Sequence, residues 1–381
     1  MSKSIHGGIL GTRIVVLLVT ISGAIGVVAG AGPALGPVNV ADGKTNFGGM
    51  VHDVDGYDLG LKRATVVVPA GSVNALSAAI VSAGARGTVR VASGVHFESG
   101  TVEVASEVSI IGDPGAVIES GTMVAAIYPV LVDPTFRVHD TSRVTIQGLE
   151  MRPPAGGTAG CAVLIENADD VKVIGNNIHD YQFGVLVQYG DRADIRGNSI
   201  SLTTRWTLDP SDPEFLPEAH GIVVINGTAA HLTGNTVSNA LFNIWACGAK
   251  GQAKGNTVTG GLIGLILCNV PGGGFLISGS SQGSEVPGTG WHVEDNLARF
   301  NLWGYLVIDQ ANNNYMNNNA ASDNALYDIE LTADTYRFGF LTPASYSNVV
   351  AQGSHKGLVV KDCGNDNVVS GDFTLVDTTV D

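Results

Sequence analysis

Short apolar runs alternate with polar turns along this chain, and the runs return at a fixed interval. From residue 136 onward the pattern apolar-x-Gly-Asn-x-apolar recurs. Its copies include Ile174-Gly175-Asn176-Asn177-Ile178, Ile195-Arg196-Gly197-Asn198-Ser199-Ile200, Leu232-Thr233-Gly234-Asn235-Thr236-Val237 and Ala253-Lys254-Gly255-Asn256-Thr257-Val258. Weaker copies lie at Val293-Glu294-Asp295-Asn296-Leu297, Tyr315-Met316-Asn317-Asn318-Asn319 and Val368-Val369-Ser370-Gly371-Asp372-Phe373, and an early one at Val144-Thr145-Ile146-Gln147-Gly148-Leu149. Gly175 to Gly197 spans 22 residues, Gly234 to Gly255 spans 21, and Asp295 to Asn317 spans 22. The longer gaps, 37 and 40 residues, each hold one repeat plus an insertion. A second apolar run precedes each Gly-Asn, as in Gly184-Val185-Leu186-Val187 and Gly221-Ile222-Val223-Val224.

Each repeat thus predicts two or three strands of a few residues, broken by Gly, Asn and Asp. Such strands are too short to close a core alone, but stacked coil on coil each pairs in parallel with its copy about 4.8 Å away. A period near 20 residues is the mark of a solenoid. The leucine-rich frame of the same period is absent, so the pattern predicts an all-β, right-handed parallel β-helix of about 11–12 coils. Eight residues before the Gly-Asn stand Asp140, Asn167, Tyr189, Asn226, Cys247, Asp309 and Cys363, which read as one stacked turn with polar side chains bonding along it. Cys268 follows Cys247 by 21 residues and falls in the same column. Their parallel Cβ vectors suit a disulfide poorly, so packed free thiols are expected. A solenoid end needs a cap. Ser72 as N-cap, a short helix over Asn74–Val81, and strands at Thr88–Val91, Val102–Val104 and Val108–Ile111 supply one.

The helix, then Gly87-Thr88-Val89-Arg90-Val91-Ala92-Ser93-Gly94-Val95-His96-Phe97, then Val108-Ser109-Ile110-Ile111-Gly112, resembles the opening of pectin-lyase-like β-helix proteins. The Gly-Asn-x-Ile copies are similar to that superfamily's parallel β-helix repeats. The resemblance spans roughly residues 65–377 and implies the fold. It implies no single chemistry, because the superfamily holds polysaccharide lyases, glycoside hydrolases, epimerases, phage tailspikes, adhesins and a copper-delivery relative. No specific enzyme family is matched. The ordered Asn-Thr-Asp, Asp pair and Gly-His of polygalacturonase-like hydrolases are missing. Asp169, Asp170, Asp191 and Arg192 read as solvated turn residues, and the His and Met residues form no copper cluster.

Composition narrows the class. Glycine makes up 51 of 381 residues, charged residues only 14% and apolar residues 44%, which excludes a disordered chain. The formal charge of −15 excludes nucleic acid as a partner and disfavours a polyanionic glycan unless a cation bridges the two. Lys3 and Arg13 precede the apolar stretch Ile14–Val28 and the small residues Ala29-Gly30-Ala31, the order of a secretory signal. The alternative is an uncleaved N-terminal anchor, the only route to a membrane. Residues 1–36 are assigned to this segment, 37–64 to an extension, and 65–381 to the β-helix; the expected location is secreted, periplasmic or cell-surface. Asp53-Val54-Asp55-Gly56-Tyr57-Asp58 has acid spacing suited to Ca²⁺, the one candidate cofactor, but lacks the rest of an EF-hand and reads as a loop. Asn226-Gly227-Thr228 is a glycosylation sequon that the turn column also explains. No other metal site is predicted, and the oligomeric state is left open.

Candidate chemistry collects around the 202–219 insertion. His179, Asp180, Arg205, Glu218 and His220 are the candidate catalytic residues. Asp180 and Glu218 would be the acid–base pair of a hydrolase, and Arg205 or His220 the base of a lyase. Tyr181, Trp206, Phe242, Arg299 and Trp303 are candidate substrate-binding residues, because aromatic faces stack on sugar rings and Arg supplies charge. The expected partner is a polysaccharide or cell-surface glycan. Two readings follow: a polysaccharide lyase or hydrolase, and a non-catalytic surface or adhesion module. An insertion that merely packs its Trp and Phe is the plain structural alternative.

Overall fold

The computed structural model describes residues 63–121, 133–155, 157, 159–202, 219–268, 289–333, 335–337, 340–342, 344–351 and 358–376. The signal segment, the Asp53–Asp58 run, and Arg205, Trp206 and Glu218 lie outside the described residues. The described residues all belong to one unit, residues 60–381. They form a right-handed parallel β-helix of three sheets, with twelve, eleven and nine strands. One coil shows the path. Tyr181–Gln188 lies in the eleven-stranded sheet, Asp194–Arg196 in the twelve-stranded sheet and Ser199–Ser201 in the nine-stranded sheet, and the chain returns at His220–Thr228. Successive coils pair in register, as in Val185 opposite Ile222 and Ile195 opposite Leu232. The inward residues, among them Val187, Ile195, Ile200 and Val224, form one continuous buried core.

Each corner of the coil is made by a residue in the left-handed conformation. Between the twelve- and nine-stranded sheets this is Gly175, Gly197, Gly234 and Gly255, with φ of 59–63°, and then Asp295 and Asn318, with φ of 55° and 50°. Asn and Asp are the residues besides glycine that tolerate this region best, which explains why the weaker copies read Asp-Asn and Asn-Asn. The asparagine that follows turns inward. Asn176 donates through its backbone N–H and its Nδ2 to Asn198 Oδ1, at 3.0 and 3.1 Å. Asn198, Asn235, Asn256 and Asn296 repeat the pattern toward Asn235, Asn256, Asn296 and Asn319 in turn. Each Nδ2 also donates to a backbone carbonyl of the preceding coil, for example Asn256 to Leu232. The amide therefore satisfies backbone groups that a tight buried corner would otherwise orphan.

The stacked turn is present: Asp140, Asn167, Tyr189, Asn226 and Asp309 all have positive φ, and Asn167 Nδ2 donates to Asp140 Oδ1 at 2.7 Å. The expectation of free thiols at Cys247 and Cys268 is corrected. Their Cα atoms stand 4.7 Å apart on neighbouring coils and the two are disulfide-bonded, while Cys161 and Cys363 are free. The cap also differs in detail. The helix runs Leu76–Ala83, Ala75 occupies the N-cap without a side-chain bond, and Ser72 Oγ donates to the Pro69 carbonyl instead. The capping acceptor comes from the next coil: Glu98 Oε1 accepts from the backbone N–H of Ala75 and Leu76, at 3.0 and 3.1 Å. Gly84 ends the helix at φ 67°. Among the described residues no helix is long and apolar enough to cross a membrane.

Candidate functional site

The borders of the eleven-stranded sheet carry the chain's elaborations. Residues 122–132 and 203–218 interrupt the chain between the nine- and eleven-stranded sheets, and residues 269–288 interrupt it between the eleven- and twelve-stranded sheets. The Gly-Asn corner holds none of these three. Function in solenoids concentrates where loops vary on a fixed frame.

At the border entering Tyr181–Gln188, Asp180 takes φ 64° and resets the alternation of the strand before it. His179 therefore faces outward from the nine-stranded sheet while Tyr181 turns into the core. His179 Nδ1 lies 2.8 Å from Asp180 Oδ2, and Nε2 lies 3.3 Å from Glu150 Oε1 on the preceding coil. Arg152 holds Glu150 at 2.9 Å and Glu119 at 3.0 Å. One half-buried imidazole thus bridges two carboxylates, and an arginine ties one of them to a third. Glu150, Glu119 and Arg152 were missed from sequence. The signal was there: aligning the copies on Gly148 and Gly175 sets Glu150 opposite Asn177, as observed.

Across the corner, the outward face of the eleven-stranded sheet is apolar over several coils, with Leu186, Val223, Trp245, Ile266 and Leu306 clustered on it. His220 lies among them. Its ring centroid is 5.3 Å from Phe183, 5.0 Å from Phe242 and 5.1 Å from Trp245, and neither ring nitrogen has a hydrogen-bond partner. The residue is 1% exposed, and burial pushes its pKa down to about 3, so the imidazole is neutral.

The structure brings His179 to Asp180 and His220 to Phe242. It does not bring Tyr181 to a surface: the ring is fully buried and its hydroxyl is 2.9 Å from Thr135 Oγ1, so this side chain packs the core instead of meeting solvent. Trp303 lies three strands beyond His220 in the same sheet, with Nε1 donating to Glu330 Oε2 at 2.6 Å. Arg299 is exposed on the nine-stranded sheet, four strands beyond His179. Among the described residues no group of three or more His, Cys, Asp or Glu side chains could hold a metal ion.

No family model matches the chain, and no curated protein matches it. Solved structures do. A polygalacturonase from Erwinia carotovora ssp. carotovora aligns at a TM-score of 0.53 and 11% identity, over 84% of this chain and 96% of its own. An endo-xylogalacturonan hydrolase from Aspergillus tubingensis aligns at 0.42 and 11%, over 83% and 96%. A tailspike of E. coli bacteriophage HK620 in complex with a pentasaccharide aligns at 0.49 and 12%, over 83% and 57%. Three parallel sheets, a helical cap and this alignment give the chain the fold of the pectin-lyase-like right-handed parallel β-helix proteins.

Proposed function

We propose that this is an exported, glycan-acting β-helix protein whose site lies along the border between the nine- and eleven-stranded sheets. The observation that carries this is a coincidence of three features at one border: the 203–218 insertion, the Glu150–His179–Asp180 bridge, and the ring cluster of Phe183, His220, Phe242 and Trp245. Rings of this kind offer stacking faces to sugars, and few convergent polar groups fix orientation. The polygalacturonase that shares the fold supports the same substrate class. Glu150 and Asp180 are the carboxylates available for acid–base work, and His179 between them can carry a proton from one to the other. Arg205, Trp206 and Glu218 sit in the insertion that joins this border and belong to the same proposal. The signal-like order of the N-terminal sequence agrees with the reading, since an extracellular glycan is met outside the cell.

One observation favours the non-catalytic module. His139 is held between Glu103 at 3.1 Å and Asp140 at 3.1 Å, repeating the His179 arrangement on another strand end. A clamp used twice is a device for joining coils. The test is a panel of neutral and uronate polysaccharides, read by reducing ends, by absorbance near 235 nm and by binding. Product from any glycan establishes the enzyme; binding without product establishes the module; no binding to any glycan overturns both.

A further inference from the structure

One corner residue breaks a rule that its equivalents keep. Between the nine- and eleven-stranded sheets the coil turns on a residue in the left-handed conformation: Asp180, Asn239, Gly260, Phe300 and Asp323, with φ of 57–68°. Gly, Asn and Asp tolerate this region, whereas a bulky ring in it is an outlier, its Cβ crowded against the following carbonyl oxygen. Phe300, at φ 57°, is the one aromatic among these five. A second cost falls on the same residue. Its side chain is 60% exposed, and among the described residues only Val73 and Val81, in the capping segment, are large apolar side chains with more exposure. Phe300 also belongs to neither apolar cluster of the fold, although Leu302 and Trp303 beside it pack against the outer one. Strain of this kind persists where function requires it, as at ligand clamps.

The surroundings of the ring are of a particular kind. Phe300 follows the strand Leu297–Arg299, and register sets it opposite Gly260 on the preceding coil and Asp323 on the next. Gly260 has no side chain to lay over the ring. Arg299 and Asp323 are both exposed, and neither side chain makes a hydrogen bond or ion pair among the described residues. Leu326, 47% exposed, follows Asp323 on the same coil. The corner therefore displays an apolar face between a guanidinium, which only donates, and a carboxylate, which only accepts. A sugar ring has the matching form, an apolar C–H face rimmed by hydroxyls that both donate and accept. A wholly apolar partner would instead bury both charges without a bond, at heavy cost.

We propose, resting on the glycan reading above, that Phe300 is a stacking platform for one unit of the glycan chain. The C–H face of that unit lies on the Phe300 ring, Arg299 donates to its hydroxyl oxygens, and Asp323 accepts from its hydroxyl hydrogens. The ring already stands in solvent, so the sugar reaches it with no rearrangement of the fold. Arg299 lies four strands beyond His179 in the nine-stranded sheet, about 19 Å along the solenoid at about 4.8 Å per coil. The platform thus holds a part of the chain remote from Glu150 and Asp180. It anchors the glycan and takes no part in acid–base work.

A substitution that strengthens the fold and weakens binding tests this. Phe300→Asn gives the corner the residue that Asn239 supplies two coils earlier. It should raise the thermal midpoint of the full chain by about 1–3 °C, because the strain is relieved. Calorimetric titration with oligosaccharides of glucose, mannose, galactose and galacturonate identifies the sugar that the wild-type chain binds. Phe300→Asn should weaken that binding by about ten-fold, and Arg299→Gln by about five-fold. Phe300→Tyr keeps the ring and should keep the affinity within about two-fold. A midpoint lowered by Phe300→Asn shows that the ring holds the fold, and overturns the proposal. So does undiminished affinity in Phe300→Asn or Arg299→Gln while the wild-type chain binds, and the glycan reading then stands. If the wild-type chain binds none of these sugars, the glycan reading itself falls.

Discussion

His220 shows how much a single enclosed side chain can impose. Its pKa falls from 6.5 to about 3 through burial alone, so between those values the unfolded chain binds a proton that the folded chain refuses. The stability tied to this group is fully present above about pH 6.5 and is lost as pH falls, by up to about 1.4 kcal/mol per pH unit. Thermal denaturation of His220→Phe should decline less steeply than wild type between about pH 6.5 and pH 4; parallel curves would show that the ring is not what the acid limb titrates. Asn256 makes the complementary case, a polar side chain with every bond made. Replacing it with Ala leaves the Asn235 backbone N–H and the Leu232 carbonyl without their side-chain partner in the core. The cost should be about 2–4 kcal/mol in urea unfolding, well beyond a surface Asn→Ala change.

At the scale of elements, the helix at the start of the solenoid is held by a carboxylate from another coil. Glu98 is buried beneath the helix N-terminus, and its burial raises its pKa against the lowering effect of the two N–H bonds it accepts. Glu98→Ala should cost about 1–2 kcal/mol and speed hydrogen exchange within Leu76–Ala83, while Glu98→Gln, which keeps the acceptor, should cost less. Equal exchange in both variants would show that the N–H bonds to Glu98 do not hold the helix. This contact was not legible in the sequence, where Ser72 offered the usual local cap. A local rule names a neighbour in the chain, whereas Glu98 lies 22 residues past Leu76 and meets it only because the coils stack. Tyr181 was misread for a related reason. Inside and outside alternate along a strand only while φ stays extended, and Asp180 breaks that count one residue earlier.

For the whole molecule, the fold was legible because its instructions are steric and local. A left-handed corner favours Gly, Asn or Asp, and a chain that needs one at every turn writes much of its period in those residues. The candidate site was only half legible. His179 and Asp180 are neighbours in sequence and were named together as candidates; Glu150, which contacts His179 from 29 residues away, was not. The cysteines follow the same logic: the column was visible, the bond across it was not. Peptide mapping without reductant should recover a Cys247–Cys268 cross-link, and reduction should destabilise the protein by about 3 kcal/mol, as expected for a closed loop of this size. Alkylation of both thiols in the native protein would contradict it.

The asparagine row inside the corner has a direction. Every Nδ2 from Asn176 to Asn296 points to the oxygen of the next coil, so the side-chain amides are aligned head to tail along the solenoid axis. A chain of dipoles in series polarises itself, and each link strengthens those on either side. The row should therefore behave as one object: a cut at Asn235 or Asn256 depolarises both halves, whereas a cut at Asn176, where the row starts opposite Leu149, shortens it by one unit. Equivalent substitutions along an otherwise uniform repeat would then differ in cost by position, greater at Asn235 or Asn256 than at Asn176.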